Sequence, residues 1–316
     1  MSKYILSRLL QLVPVLFGIS VLVFSMIHLI PGDAVDLLMG TQVARTEAQA
    51  QELRRLLGLD LPLHVQYWQW LSGALTGDLG VSLRTARPVW DEIMTRLPIS
   101  AQLAAMALAF GVTGGVLLGI FAAVRHGTAG DKAAGVIGLI GLSIPDFWLA
   151  TLIILFTSLY WPVIEIGTYV PFFSDPVQNL RVMLAPALAF SVGLIAIIMR
   201  FTRSAVLEVL RADYVRTARS KGLGEWIVVA KHVLRNALLP VVTVVGFYAG
   251  YLLGGTVVIE EVFAIPGMGR LTLNAIAQRD YPLIQGIVLV VAVLFVSINL
   301  LVDVLYALLN PRISYG

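Results

Sequence analysis

Five stretches of this chain contain no Lys, Arg, Asp or Glu: Leu9 to Ile30, Ile99 to Val124, Val182 to Met199, Ala237 to Ile259 and Leu283 to Val302. A sixth, Ala133 to Ile164, is interrupted only by Asp146. A helix crosses a bilayer core with about 20 apolar residues, so each stretch is a candidate span. The runs are continuous rather than alternating with period two, which disfavours a strand barrel. Of 316 residues, 58% are hydrophobic and 13% charged, with a mean hydropathy of +0.87. A soluble domain is roughly a quarter charged, so an ordinary cytosolic globule is excluded. Disordered, collagen-like and low-complexity chains are excluded as well. Cysteine is absent, which rules out disulfides, thiolate metal sites and cysteine nucleophiles.

The first stretch, led by Lys3 and Arg8, has the look of a signal peptide. It is long for one, and Pro31-Gly32-Asp33 offers no small-x-small cleavage pattern, so it reads as an uncleaved helix. Six spans put both termini on one side. The segments on that side hold thirteen of the 22 basic residues against five acidic ones, a net of +8, and the opposite segments carry a net of −4. Basic loops stay in the cytoplasm, which orients the chain N-in, C-in. The expected fold is therefore an all-α polytopic membrane protein with six transmembrane helices. Residues 1–98 form an N-terminal helix and an extracytoplasmic region, and 99–316 a five-helix core. The extracytoplasmic region reads as short amphipathic helices and turns: a helix over Glu47 to Leu57 stopped by Gly58, then Pro62, Gly73, Gly77 and Gly80 as punctuation. No internal repeat is evident.

Most inside basic residues lie in one loop, about 200–236, between the fourth and fifth spans. Asp213 is placed to cap a short helix with Tyr214, Val215 and Ala218 on one face and Arg216, Arg219 and Ser220 elsewhere. Gly222 and Gly224 end it, and a second amphipathic stretch, Glu225 to Leu234, leads to Pro240. A basic helix at the cytoplasmic face also has a plain reading, a topology signal that touches anionic lipid.

The segment Asp213-Tyr-Val-Arg-Thr-Ala-Arg-Ser-Lys-Gly222 resembles the coupling loop of membrane subunits of bacterial binding-protein-dependent ABC importers, in their dipeptide/oligopeptide/nickel branch. The family's Glu-Ala-Ala appears here as Arg216-Thr217-Ala218, without the Glu, as is common in that branch. Four more segments resemble that branch in order: Tyr4 to Pro14 through His28 to Asp33, Gly58 to Tyr67 with Gly77 to Gly80, Ser143-Ile-Pro-Asp-Phe-Trp148, and Glu261-Val-Phe-Ala-Ile-Pro-Gly-Met-Gly269. The resemblance implies a translocation subunit in the bacterial inner membrane. Its implied partners are a second, related permease subunit forming a heterodimer, two cytoplasmic ATPase subunits that bind ATP and Mg, an extracytoplasmic substrate-binding protein and membrane lipid, with no nucleic acid. It implies that Asp213, Tyr214, Val215, Arg216, Thr217, Ala218, Arg219, Lys221 and Gly222 couple to the ATPase. Within that set the apolar face of Tyr214, Val215 and Ala218 is expected to supply most of the docking energy, since exposed ion pairs from Arg216, Arg219 and Lys221 contribute little each. It further implies an outer gate and binding-protein platform at Glu261, Phe263, Pro266, Gly267 and Gly269. The expected cargo is a di- or oligopeptide, with glutathione, nickel complexes and glycosides as alternatives in the same branch.

The chain itself is not expected to be the motor. It has no Gly-Lys pair, hence no phosphate-cradling P-loop. Asp146 has two compatible readings. It is a path-lining carboxylate, with Ser143 and Pro145 beside it, or it caps a half-helix restarted after Pro145. Gly111, Gly115 and Gly119, and likewise Gly246, Gly250 and Gly254, recur every four residues, a close-packing pattern. Gly250, Gly254 and Gly255 have the additional reading of a path lined by backbone. His28 is read as a structural hydrogen-bond partner, and the other histidines lack ligand spacing, so no metal is expected. The alternative from a different class is a gradient-driven secondary transporter, which usually shows inverted repeats and several buried charges, where this chain shows no evident repeat and one acid within a span. An intramembrane enzyme needs a catalytic constellation in the spans, and the sequence offers none.

Overall fold

A computed structural model describes residues 2–28, 51–52, 54–55, 58–160 and 167–309. The regular elements among them are helices: α1 (Ser2–His28), α2 (Leu63–Leu75), α3 (Val89–Val124), α4 (Ala129–Ser143), α5 (Asp146–Tyr160), α6 (Pro176–Leu210), α7 (Asp213–Ser220), α8 (Glu225–Ile227), α9 (Leu234–Gly255), α10 (Val257–Val262), α11 (Met268–Ala277) and α12 (Tyr281–Leu309). A π-helical turn, Val228–Val233, joins α8 to α9. Most of the expected helix over Glu47 to Leu57 lies outside the described residues. Its end is described: Gly58, at φ +68°, lets the Leu59 N–H reach back to the Arg54 carbonyl at 2.8 Å, a Schellman stop.

The centre of the bundle is the α3–α6 pair, and the four-residue glycine step builds it. A Cβ on Gly111 would lie 2.4 Å from Leu194, one on Gly115 2.7 Å from Ile198, and one on Gly119 2.6 Å from Thr202. Matching steps on both helices bring the backbones together, as small residues do where lipid gives no hydrophobic drive to association. Leu103, Ala107, Met183, Ala187, Phe190 and Ile198 continue this core. At 36 and 35 residues, α3 and α6 extend about 50 Å, well beyond a ~30 Å hydrocarbon core. Their ends therefore carry parts of both aqueous faces.

The third apolar run is not one straight span. Pro145 breaks it into α4 and α5, which meet at 99°. Pro145 has no N–H to continue the ladder, and its carbonyl starts α5 by accepting from Trp148 and Leu149 N–H. Four other helices, α3, α6, the α8–α9 stretch and α12, are long and apolar enough to cross a membrane. α1 is a single 27-residue helix with an apolar stretch Leu10–Met26. It is braced by α2, where Ser20 Oγ and the Tyr67 hydroxyl bond at 2.8 Å and Phe24 packs against Tyr67 and Trp70. His28 bridges its own Phe24 carbonyl (2.9 Å) and Gln66 (3.3 Å), the structural role read for it.

The helix ends gather into two clusters. One end of the bundle gathers Ala123 of α3, Val206 of α6, α7, the π turn and the start of α9. The opposite end gathers the loop before α3, α10, α11 and the start of α12.

Candidate functional site

The loop between α6 and α9 folds onto the bundle. α7 runs from Asp213 to Ser220. The cap expected of Asp213 is not made: Ala212 is the N-cap, no side chain caps the helix, and Asp213 is its first residue. Its terminator is Gly222, at φ +77°, whose N–H bonds the Arg219 carbonyl at 2.9 Å. No atom lies within 4 Å of a Cβ placed there, so the glycine answers a backbone need rather than a packing one. The helix has a single apolar face, and that face points inward. Val215 (0% exposed) and Ala218 (5%) pack against Ala123, Val206, Val228, Val233 and Ala237. In the π turn, i→i+5 bonding brings Val228 and Val233 to one side, where both are fully buried.

This corrects the expectation that Val215 and Ala218 meet a partner. Their burial stabilises the seat of α7 on its own chain, and the pattern of an amphipathic helix does not say which surface covers it. Arg219 is also engaged internally. Its Nε and Nη2 donate to Glu225 Oε2 and Oε1 at 3.0 and 2.6 Å, closing α7 onto α8. The Arg219 guanidinium holds the Glu225 carboxyl below its ordinary value. What α7 presents outward is Asp213, Tyr214, Arg216, Thr217, Ser220 and Lys221. Asp213 and Arg216 pair loosely at 3.7 Å, and Tyr214 accepts from Asn236 at 2.9 Å.

Beside this loop, a second clamp joins the α3–α4 turn to α6. Arg203 donates from Nε and Nη2 to the two oxygens of Asp131 at 2.7 and 2.8 Å, and Gly127 N–H adds a bond at 2.9 Å. Arg203, Gly127 and then His126 hold the Asp131 carboxyl well below the usual carboxylate range, against the opposing effect of burial.

At the other end, the turn between α10 and α11 is built on a residue the sequence reading passed over. Glu260 is fully buried in α10. Ser100 Oγ, from α3, donates to its Oε1 at 2.5 Å, and the Arg270 N–H donates to Oε2 at 3.1 Å. Ser100 in turn accepts from Met268 N–H at 2.7 Å. One carboxylate thus ties α3, α10 and α11. Gly267 and Gly269 make room for it: a Cβ on Gly267 would lie 2.5 Å from Glu260 Cδ, and one on Gly269 2.4 Å from Val257 Cα. Phe263 is buried beside them. Pro266 sits in the turn between α10 and α11. Glu261, the acid singled out from sequence, is instead exposed and pairs with Arg270 at 3.5 Å. Hydropathy cannot separate two adjacent glutamates at the end of an apolar run; the nearby Pro-Gly-x-Gly is the one local sign that something must fit closely. Asp280 forms a second buried anchor, accepting from Ser82 Oγ at 2.5 Å and Leu83 N–H at 3.2 Å.

The residues expected to line a path are not brought together. Gly250, Gly254 and Gly255 border a groove of about 600 Å³ with Met268, Gly269 and Phe295, while Ser143 and Pro145 border another of about 470 Å³ with Phe147 and Trp148. The two share no lining residue. Gly250 packs on Phe295 and Asn299, and Gly255 on Phe190, whereas nothing approaches Gly254. Asp146 lies exposed in the first turn of α5. Among the described residues its carboxylate makes no hydrogen bond, and it faces Gly193 of α6.

The helical bundle has the general fold of solved ABC transporter membrane subunits, and the sequence places the chain more closely. The chain belongs to the family of binding-protein-dependent transport system inner membrane components, which it matches over residues 115–315, with the family's N-terminal companion over 1–104. It is a permease subunit of an ABC importer. Among its relatives, the glutathione transport system permease protein GsiC of Escherichia coli O6:H1 is 43% identical over 316 residues, covering 100% of both chains. The dipeptide transport system permease protein DppB of Escherichia coli K12 is 38% identical over 338 residues, covering 100% of this chain and 99% of its own. In fold, it is similar to the MetNI methionine ABC transporter in inward-facing form, with a TM-score of 0.56, 19% identity, and coverage of 69% of this chain and 96% of that one. An amino acid ABC transporter crystallised with histidines gives a TM-score of 0.51 at 15% identity, over 71% and 94% of the two chains.

Proposed function

We propose that this permease imports di- or oligopeptides, glutathione being the nearest alternative, and that α7 is the lever through which partner ATPases drive it. Six spans run N-in, C-in, with the α4–α5 pair as the bent third. A second, related permease subunit completes the path, two cytoplasmic ATPase subunits bind ATP and Mg, and an extracytoplasmic binding protein delivers the cargo. This chain supplies no ATPase site. The peptide reading rests on the glutathione and dipeptide permeases named above.

The observation that carries the coupling reading is the seat of α7. Val215 and Ala218 share one buried cluster with residues at the ends of α3, α6 and α9, and α7 itself packs chiefly on the π turn that leads into α9. A force on the polar face therefore passes through the π turn into α9 and the cluster around it, and close packing deforms little. ATP favours whichever state it binds better, and closing of the ATPase pair moves the docked helices with it. At the outer end, the turn held by Glu260 and the residues Glu261, Phe263, Pro266, Gly267 and Gly269 form the gate and the platform for the binding protein. The Asp146 carboxylate is open to the path and meets the polar ends of a peptide.

The test is isolation of the tagged permease in mild detergent. Two ATPase chains and a second permease are expected to accompany it, and the associated binding protein is expected to retain a peptide or glutathione. A permease that purifies alone and transports in response to an ion gradient contradicts the reading.

A further inference from the structure

At the inner end of α3, Leu117, Phe121 and Val124 form an exposed stripe at helical spacing. The stripe runs into a groove of about 310 Å³ whose walls include Phe121, Val124, Val229 and Trp226, with Arg125 and Glu225 on its rim. Trp226 is 78% exposed. The Arg125 guanidinium lies over the Phe121 ring, 5.1 Å from its centroid, and among the described residues no carboxylate pairs with it. The one acid on the same rim, Glu225, has both oxygens occupied by Arg219. The groove therefore combines an apolar floor, an amphipathic aromatic side chain and one uncommitted cation. It sits where the uncharged run Ile99 to Val124 ends.

We infer that this groove binds an anionic phospholipid of the inner leaflet. One acyl chain lies along Leu117, Phe121 and Val124, the Trp226 indole sits at headgroup level, and the phosphate is held by Arg125. Each part follows from chemistry. Indoles concentrate at the membrane–water boundary because one side of the ring is apolar and the N–H is polar. A guanidinium matches phosphate oxygens in a planar fork. The cytoplasmic leaflet carries the anionic lipids, and the chain's inside segments carry a net charge of +8. A zwitterionic lipid satisfies the floor equally well and gains less from the cation. The site rests on the proposed orientation, which puts this end of α3 in the cytoplasm.

The experiment uses the intact transporter complex in nanodiscs of phosphatidylcholine containing a minor fraction of phosphatidylglycerol. Co-purifying lipid is read by mass spectrometry, and quenching by acyl-brominated phosphatidylglycerol is read as the difference between wild type and Trp226→Phe. Wild type is expected to enrich phosphatidylglycerol. Arg125→Gln is expected to lower that enrichment by about fivefold, the effect of one cation at an anionic surface, and Arg125→Lys to restore part of it. Equal retention of both lipids by wild type and Arg125→Gln overturns the inference, as does a photoreactive residue at position 226 that labels an ATPase subunit instead of lipid. Orientation is checked separately in this cysteine-free chain: Arg125→Cys is expected to react with an impermeant maleimide from the cytoplasmic side alone. Reaction from outside overturns the orientation as well as the lipid site, whereas inside reaction without lipid preference overturns the lipid site only.

Discussion

At one end of the bundle α7 is held by methyl groups: Val215 and Ala218 cluster with Ala123, Val206, Val228, Val233 and Ala237. At the opposite end the turn between α10 and α11 is held by one carboxylate: Glu260 between Ser100 Oγ and the Arg270 N–H. Apolar contact is non-directional and roughly proportional to area, so the methyl seat accepts small rotations and changes of shape. A buried carboxylate demands donors in place, and losing one costs the desolvation of the group left behind. The methyl seat is suited to passing on a continuous push, the carboxylate clamp to being fastened or released. In both cases most of the contacts are made within this chain, and what stays exposed is the polar face of α7 and the surface of the α10–α11 turn.

Substitutions that break each end in its own way separate the two. The largest effect is expected from Val215→Asp, which drives an unpaired charge into the methyl seat at a cost of several kcal/mol. The permease should fail to accumulate, while Thr217→Asp on the exposed face of α7 accumulates normally in detergent-solubilised membranes. Gly269→Ala comes next. Its Cβ would meet the Val257 backbone at 2.4 Å, and backbone cannot swing aside, so a loss of about 1–3 kcal/mol is expected in thermal melts. Ser100→Ala removes a donor from Glu260 and an acceptor from the Met268 N–H, costing about 1–3 kcal/mol. Combining it with Glu260→Gln should cost less than the sum, because the two residues share one interaction, and a double-mutant cycle measures the difference. A strictly additive cycle contradicts the clamp.

The smallest effect belongs to Glu225→Gln. The Arg219–Glu225 pair is half-exposed, so its loss should cost under about 1 kcal/mol. The pair also fixes the sign of a pH effect. Arg219 lowers the Glu225 carboxyl, so the unfolded chain takes up a proton first as pH falls. The stabilisation is complete above the ordinary carboxyl value and fades as pH drops through the lowered one. Asp131, lowered by Arg203, behaves the same way. Melting temperature should be flat from neutral pH down to mildly acidic conditions as far as these groups are concerned, then fall.

The helical bundle was legible because continuous uncharged runs leave a membrane chain few choices. The glycine stop of α7 at Gly222 and the break at Pro145 were legible because each depends on local backbone chemistry, whereas the cap read for Asp213 is not made. Three features were not. The facing of Val215 and Ala218 depends on where α3, α6 and the π turn end in space, and the turn itself has no clear sequence mark. Glu260 and Glu261 differ only in which side of α10 they occupy. The share of each span buried within the chain is equally hidden: α6 and α12 are both strongly apolar, yet 67% of the apolar window of α6 is buried and 6% of that of α12. Hydropathy reports that a side chain avoids water, and not whether protein or lipid replaces it.

The claim on which the function rests is that a separate ATPase grips the polar face of α7. Photoreactive residues placed singly at Arg216, Lys221 and Val215 in the assembled transporter test it directly. The account predicts nucleotide-dependent labelling of the ATPase from positions 216 and 221 and none from 215. Labelling of lipid alone from 216 and 221, in a complex that still transports, would contradict it.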